Sequence, residues 1–205
     1  MSHLRVELRQ RAEELIALYP RPRSAMLPLL HLAQEQDGYL SEAGIAEVAQ
    51  LTGTTPADVR GTAAFYDMYH LEPVGKYVVG VCTNIACLLA GGIELLEHAS
   101  STLRCAVGET SDDGLFTLEE TECLADCDFA PCVQVNHRFV RTTTSETFDA
   151  LIGDLREGKR EREIPSHGTL VRVRRNGGLR AQKTEVNTER ADAKAARDQR
   201  AEEKA

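Results

Sequence analysis

The 205-residue chain carries 24 basic and 32 acidic side chains, a net charge of −8, with 42% hydrophobic and 27% charged residues. That balance suits one ordinary or two small globular domains and argues against nucleic acid as a partner. No stretch approaches the roughly 20 apolar residues of a membrane helix, and the amphipathic opening, with Glu7, Glu13 and Glu14, lacks the composition of a secretory leader or organelle transit peptide. We therefore expect a cytoplasmic chain with no direct membrane insertion, whose six cysteines serve as thiols or metal ligands rather than disulfides.

Short helices are expected first. Leu4, Leu8, Ala12, Leu15 and Tyr19 recur at helical spacing, and Pro20 and Pro22 break the run. Met26, Leu29, Leu30 and Ala33 restart it before Asp37-Gly38. Ser41 to Leu51, stopped by Gly53, predicts a third helix, and Thr55-Pro56-Ala57-Asp58 opens a fourth with an N-cap and a first-turn proline. After Pro73 the pattern changes. Lys76 to Cys82 reads as a buried strand, and Gly91-Gly92 leads into a helix around Ile93, Leu96 and Ala99. A Gly114 turn, a strand Phe116–Cys123 and a second strand near Val133 to Val140 follow, then a helix with Phe148, Leu151, Ile152 and Leu155 on one face, capped by Thr143-x-x-Glu146. Val171 and Val173 alternate with arginines as in an extended arm, and the charged, Ala-rich chain from about residue 180 reads as disordered. The expected fold class is α+β or α/β: a helical domain over residues 1–72, a small sheet domain over 73–160, and an arm and tail over 161–205.

The chemistry lies in the cysteines. Cys82-x4-Cys87 and Cys123-x3-Cys127 each place two thiols near one turn, where backbone amides can also donate to sulfur. A two-iron, two-sulfide cluster needs four thiolates, two per iron, and these spacings suit it. Cys105 stands alone and reads as a buried structural thiol. Cys132 competes with Cys123 as the partner of Cys127, but Pro131 fixes the backbone before it, which favours Cys123. Zinc is the rival metal, although its loops usually use closer C-x2-C knuckles. A dithiol redox motif would need C-x-x-C, and a Rieske centre would need histidines interleaved with cysteines; neither occurs. His31, His70, His98 and His137 read as core or surface residues, and Gly91-Gly92 is no nucleotide fingerprint. From Cys105 to His137 there are eight carboxylates and no Lys or Arg, readable as a solvated face. Asp126 and Asp128, flanking Cys127, would place negative charge beside a cluster and disfavour its reduction.

The segments GVCTNIACLLAGG and DGLFTLEETECLADCDFAPCVQVN resemble the thioredoxin-like 2Fe-2S subunit of bacterial respiratory complex I, the NADH:quinone oxidoreductase, over about residues 10 to 160. The resemblance implies a thioredoxin-like 2Fe-2S ferredoxin domain whose ligands fall on Cys82, Cys87, Cys123 and Cys127. It further implies an electron-transfer component without a substrate site of its own, docked beside a flavin- and NADH-binding subunit that carries FMN. Other peripheral-arm subunits would complete the complex on the cytoplasmic side of the plasma membrane. Equivalent subunits serve NAD-linked hydrogenases and formate dehydrogenases, and the cluster motif does not separate these complexes. Two departures stand out: Ala125-Asp126 replaces the family's usual Gly-Ala, and Cys132 stands where an apolar residue is common.

Overall fold

Capping side chains start two of the N-terminal helices. The computed structural model describes residues 3–141 and 144–169, beginning with α1 (Val6–Ile16), α2 (Met26–Asp37), α3 (Glu42–Thr52) and α4 (Pro56–Phe65). Ser41 accepts from the Gly44 amide to start α3, and Thr55 and Asp58 close a reciprocal capping box around Pro56. Gly38 and Gly53, both left-handed, end α2 and α3. The periodic apolar residues form one buried cluster, including Leu8, Ala12, Leu29, Leu30, Ile45, Val48 and Val59. Buried Glu47 anchors the start of the chain by accepting from the backbone amides of His3 and Leu4 and from the Arg9 guanidinium.

A second cluster is built on a four-stranded sheet. Its elements are β1 (Tyr77–Cys82), α5 (Ile85–Leu89), α6 (Gly92–Leu103), β2 (Phe116–Thr121), β3 (Val133–Val135), β4 (Arg138–Val140) and α7 (Ser145–Arg156). The strand order is β2-β1-β3-β4, with β2 parallel to β1 and the other two pairings antiparallel. All six residues of β1 are buried, as its continuous apolar run requires. Leu95, Ala99 and Leu103 of α6 and Phe148, Leu151 and Leu155 of α7 pack into the same core as β1.

Three local expectations change. The run Val133 to Val140 is a hairpin, because Asn136 and His137 both take positive φ (49° and 59°) and make a two-residue turn. The strand begun at Phe116 stops at Thr121, which leaves Cys123 in a loop. The cap of α7 is Thr144, one residue later than expected, with Thr147 as its reciprocal partner; Thr144 has the extended backbone that an N-cap needs. The strand-like alternation over residues 171–174 and the tail from residue 180 lie outside the described residues.

Residues 164–169 join the two clusters. Ile164 enters the sheet core, the His167 amide donates to Lys76 O at 2.7 Å, and Asn136 Nδ2 bridges Lys76 O and Pro165 O. Gly168 passes so close to α2 that a Cβ would lie 2.8 Å from Gln34 O. Gln34 in turn donates to Met68 O and accepts from the His70 amide. At this junction the His167 ring stacks edge-on against His70 at 4.7 Å, and neither ring nitrogen of His167 has a hydrogen-bond partner among the described residues. Such a buried, unpaired polar group costs about 1–3 kcal/mol.

Burial first, then the neighbouring His70 and His137, push the His167 pKa down to about 4 from an ordinary 6.5. Between those values the unfolded chain binds more protons than the folded one. The folded state is therefore favoured fully above pH 6.5 and progressively loses that advantage as pH falls towards 4. The urea midpoint is expected to drop between pH 7 and pH 5, and His167→Gln should reduce that drop. An equal drop in the variant would contradict the account.

Candidate metal centre

The end of β1 delivers Cys82, and sheet pairing brings the second cysteine segment to it. The Cys82 amide donates to Cys132 O at 3.0 Å, just past the β1–β3 ladder. Asn84 N-caps α5 by accepting from the Ile85 amide, and its Nδ2 donates to Glu122 at 3.2 Å. The Thr83 hydroxyl donates to Glu120. These polar ties bind the first cysteine loop to the end of β2, immediately before Cys123. The sequence reading of a solvated acidic face therefore misses a role of Glu120 and Glu122.

α5 carries Cys87 on its buried side, so this part of the expected turn is a short helix. Gly92, the first residue of α6, packs behind it. A Cβ there would lie 2.7 Å from Cys82 O and 2.9 Å from Cys87 O, and backbone cannot yield as a flexible side chain does. The second loop is held from the other side. The Cys132 amide donates to Cys87 Sγ at 3.4 Å, while the Cys132 thiol donates to Asp126 O at 3.0 Å.

Cys82, Cys87, Cys123 and Cys127 line one cleft of about 380 Å³, together with Asn84, Ile85, Ala86 and Leu89. Cys82 and Cys87 are buried at its base, and Cys123 and Cys127 are exposed. Neither Cys105 nor Cys132 lines it. Cys105 sits in the sheet core, and Cys132 packs behind the cleft with Ala130. Among the described residues no three His, Cys, Asp or Glu side chains converge tightly enough to hold a single metal ion. The donor set is four sulfurs spread around a cleft, which fits a two-metal sulfide cluster in ligand number and softness. Desolvation pushes the Cys87 thiol up, and desolvation followed by repulsion from Cys123 does the same for Cys127. Both stay protonated near neutrality without metal, so loading must release protons.

Charge beside the cleft is more balanced than the sequence suggests. The Arg141 guanidinium pairs with Asp126 and lies over the Phe129 ring, 3.5 Å from its centroid. Asp128 remains exposed. Ala125, where a glycine is the expected family residue, takes φ 58°, a left-handed conformation that costs a non-glycine residue roughly 1–2 kcal/mol. Among the described residues no histidine lines the cysteine cleft.

A parallel β1–β2 pair crossed over by helices, an antiparallel β3–β4 hairpin and a following helix make a thioredoxin-like scaffold, here bearing four thiols at one cleft. Residues 12–156 match the family model for thioredoxin-like 2Fe-2S ferredoxins, and the chain belongs to that family. NADH-quinone oxidoreductase subunit 2 of Thermus thermophilus is 42% identical over 159 residues, covering 76% of this chain and 88% of that protein. An NADH-quinone oxidoreductase subunit of Mycobacterium tuberculosis is 45% identical over 145 residues, 71% of this chain and 58% of that protein. A crystal structure of an NAD+-reducing NiFe hydrogenase aligns with a TM-score of 0.61 at 23% identity, over 71% of this chain and 24% of that one, a likeness of fold.

Gly92→Ala should push the Cys82–Cys87 backbone outward at roughly 1–3 kcal/mol. After reconstitution with iron and sulfide, the variant is expected to lose its visible charge-transfer band to a chelator at least about tenfold faster, with far-UV circular dichroism unchanged. Equal retention would contradict the packing role of Gly92.

Proposed function

We propose that the chain is the electron-transfer subunit of an NADH:quinone oxidoreductase, holding one 2Fe-2S cluster through Cys82, Cys87, Cys123 and Cys127. In this reading FMN and NADH belong to a neighbouring subunit, and the complex sits at the cytoplasmic face of the membrane. The observation that carries the proposal is the shared cleft: four of six cysteines line it, and they are the two close-set pairs. When bound, such a cluster accepts or gives up one electron at a time, which suits exchange with a flavin.

The chain's own residues do the rest. Cys82 and Cys87 would hold the cluster from a strand end and a capped helix. The Cys132 amide donates to Cys87 Sγ, a contact that stabilises negative charge on sulfur. Ile85 and Leu89, 72% and 82% exposed, form an apolar lip on the cleft with Leu88 nearby, the kind of surface a partner subunit covers to exclude water. Among the described residues no helix is long and apolar enough to cross a membrane, which fits attachment through other subunits. In this account the helical residues 1–72 add contact area, and 73–160 hold the cluster.

Two relatives above 40% identity are named as NADH-quinone oxidoreductase subunits, which favours that complex over the hydrogenase likeness at 23%. Purification of the affinity-tagged native chain tests the choice. Flavin, NADH-dependent quinone reduction and membrane subunits should accompany it; a nickel or molybdenum subunit would overturn the assignment. Charge tuning gives a separate check on the loaded protein. Asp126→Asn should raise the midpoint potential and Arg141→Gln should lower it, each on the order of tens of millivolts, with the double variant near the wild type. Unchanged potentials in an EPR-monitored redox titration would remove the pair from any tuning role.

A further inference from the structure

The second cleft lies at the junction of the helical cluster and the sheet. It encloses about 200 Å³ and is walled by His31 and Gln34 of α2, His137 and Arg138 of the β3–β4 hairpin, and Ser166 and His167. It shares no lining residue with the cysteine cleft. We propose that this cleft binds a small oxyanion.

Among the described residues its lining contains three imidazoles, a guanidinium, amides and hydroxyls, and no carboxylate, in a chain where acids outnumber bases 32 to 24. The two carboxylates that act on the cluster of imidazoles lie outside it. Glu119 on β2 sits 3.6 Å from His70 Nδ1, and Asp67 after α4 acts on His70 and His137. His167 is only 8% exposed, lines the cleft and has both ring nitrogens unpartnered among the described residues. A buried imidazole in that state lacks an acceptor, and an oxyanion supplies one. Arg138 adds a fixed positive charge on the same wall. A transition-metal ion would also engage imidazoles. However, among the described residues no three such ligands converge, and Arg138 opposes a cation.

Proton linkage gives the site a signature. Burial holds His31, His137 and His167 neutral, His137 further disfavours protonation of His31 and His167, and His70 acts the same way on His167. A bound anion reverses this penalty, so binding takes up protons and tightens as pH falls. None of this depends on the iron-sulfur reading, because neither cleft contributes residues to the other.

Calorimetric titration of the full-length chain with sulfate tests the proposal, since sulfate keeps its charge across the range used and chloride can hold ionic strength constant. Saturable binding of one sulfate is expected, on the order of tenfold tighter at pH 5.5 than at pH 7.5. Arg138→Gln and His167→Gln should each weaken it by about tenfold or more, with thermal unfolding confirming that both variants fold. A sulfate affinity that does not saturate, is independent of pH or is indifferent to both substitutions would overturn the site. So would saturable zinc binding abolished by His167→Gln without sulfate binding.

Discussion

The structure depends on β1 being an inner strand whose two neighbours meet at one end. β2 runs parallel to it and β3 antiparallel, so the end of β2 and the start of β3 arrive together beside Cys82. One backbone pair, Cys82 N–H to Cys132 O, continues that ladder to its last possible rung. From there the Cys132 amide reaches Cys87 and its thiol reaches Asp126 O, so one residue touches both cysteine loops. The four cleft thiols are near one another because of sheet topology, although they lie up to 45 positions apart.

Polar satisfaction decides how firmly the loops are held. Thr83 to Glu120 and Asn84 to Glu122 each consume a carboxylate of the acidic segment at its approach to Cys123. Arg141 consumes a third, Asp126, and stacks on Phe129 of the same loop. A segment without a single Lys or Arg thus gains compensating charge from residues beyond its end, Arg141 on Asp126 and Arg156 on Asp113. Among the described residues of this loop, Ala125 takes a left-handed conformation that a residue other than glycine adopts at a cost.

Much of this is legible from local sequence. The helix caps Ser41 and Thr55, the stops at Gly38 and Gly53 and the all-apolar β1 are short-range signals, read where they stand. The cysteine spacings announce paired ligands for the same reason. What stays hidden depends on separation or on competition between equivalent neighbours. The Arg141–Asp126 pair spans 15 residues with no periodic signal, and the Gly92 contact needs the course of two backbones. The capping-box pattern Thr143-x-x-Glu146 points one residue early, because Thr144 with Thr147 competes for the same role. The single strand expected over Val133 to Val140 fails because Asn136-His137 turns without a glycine, and asparagine tolerates positive φ. The packing of Ile164 and His167 against the two cores has no signal within the charged stretch around them.

The central claim is that the cleft cysteines, and not their neighbours, hold a two-iron cluster. Single alanine replacements of all six cysteines in the full-length, reconstituted chain, followed by EPR of the dithionite-reduced protein with iron and acid-labile sulfide counts, test it most directly. The account predicts about two irons and two sulfides per chain and a rhombic signal that survives loss of Cys105 or Cys132. Replacing Cys82, Cys87, Cys123 or Cys127 should abolish that signal. Retention of the signal without Cys123 and its loss without Cys132, or one zinc with no sulfide, would contradict the account.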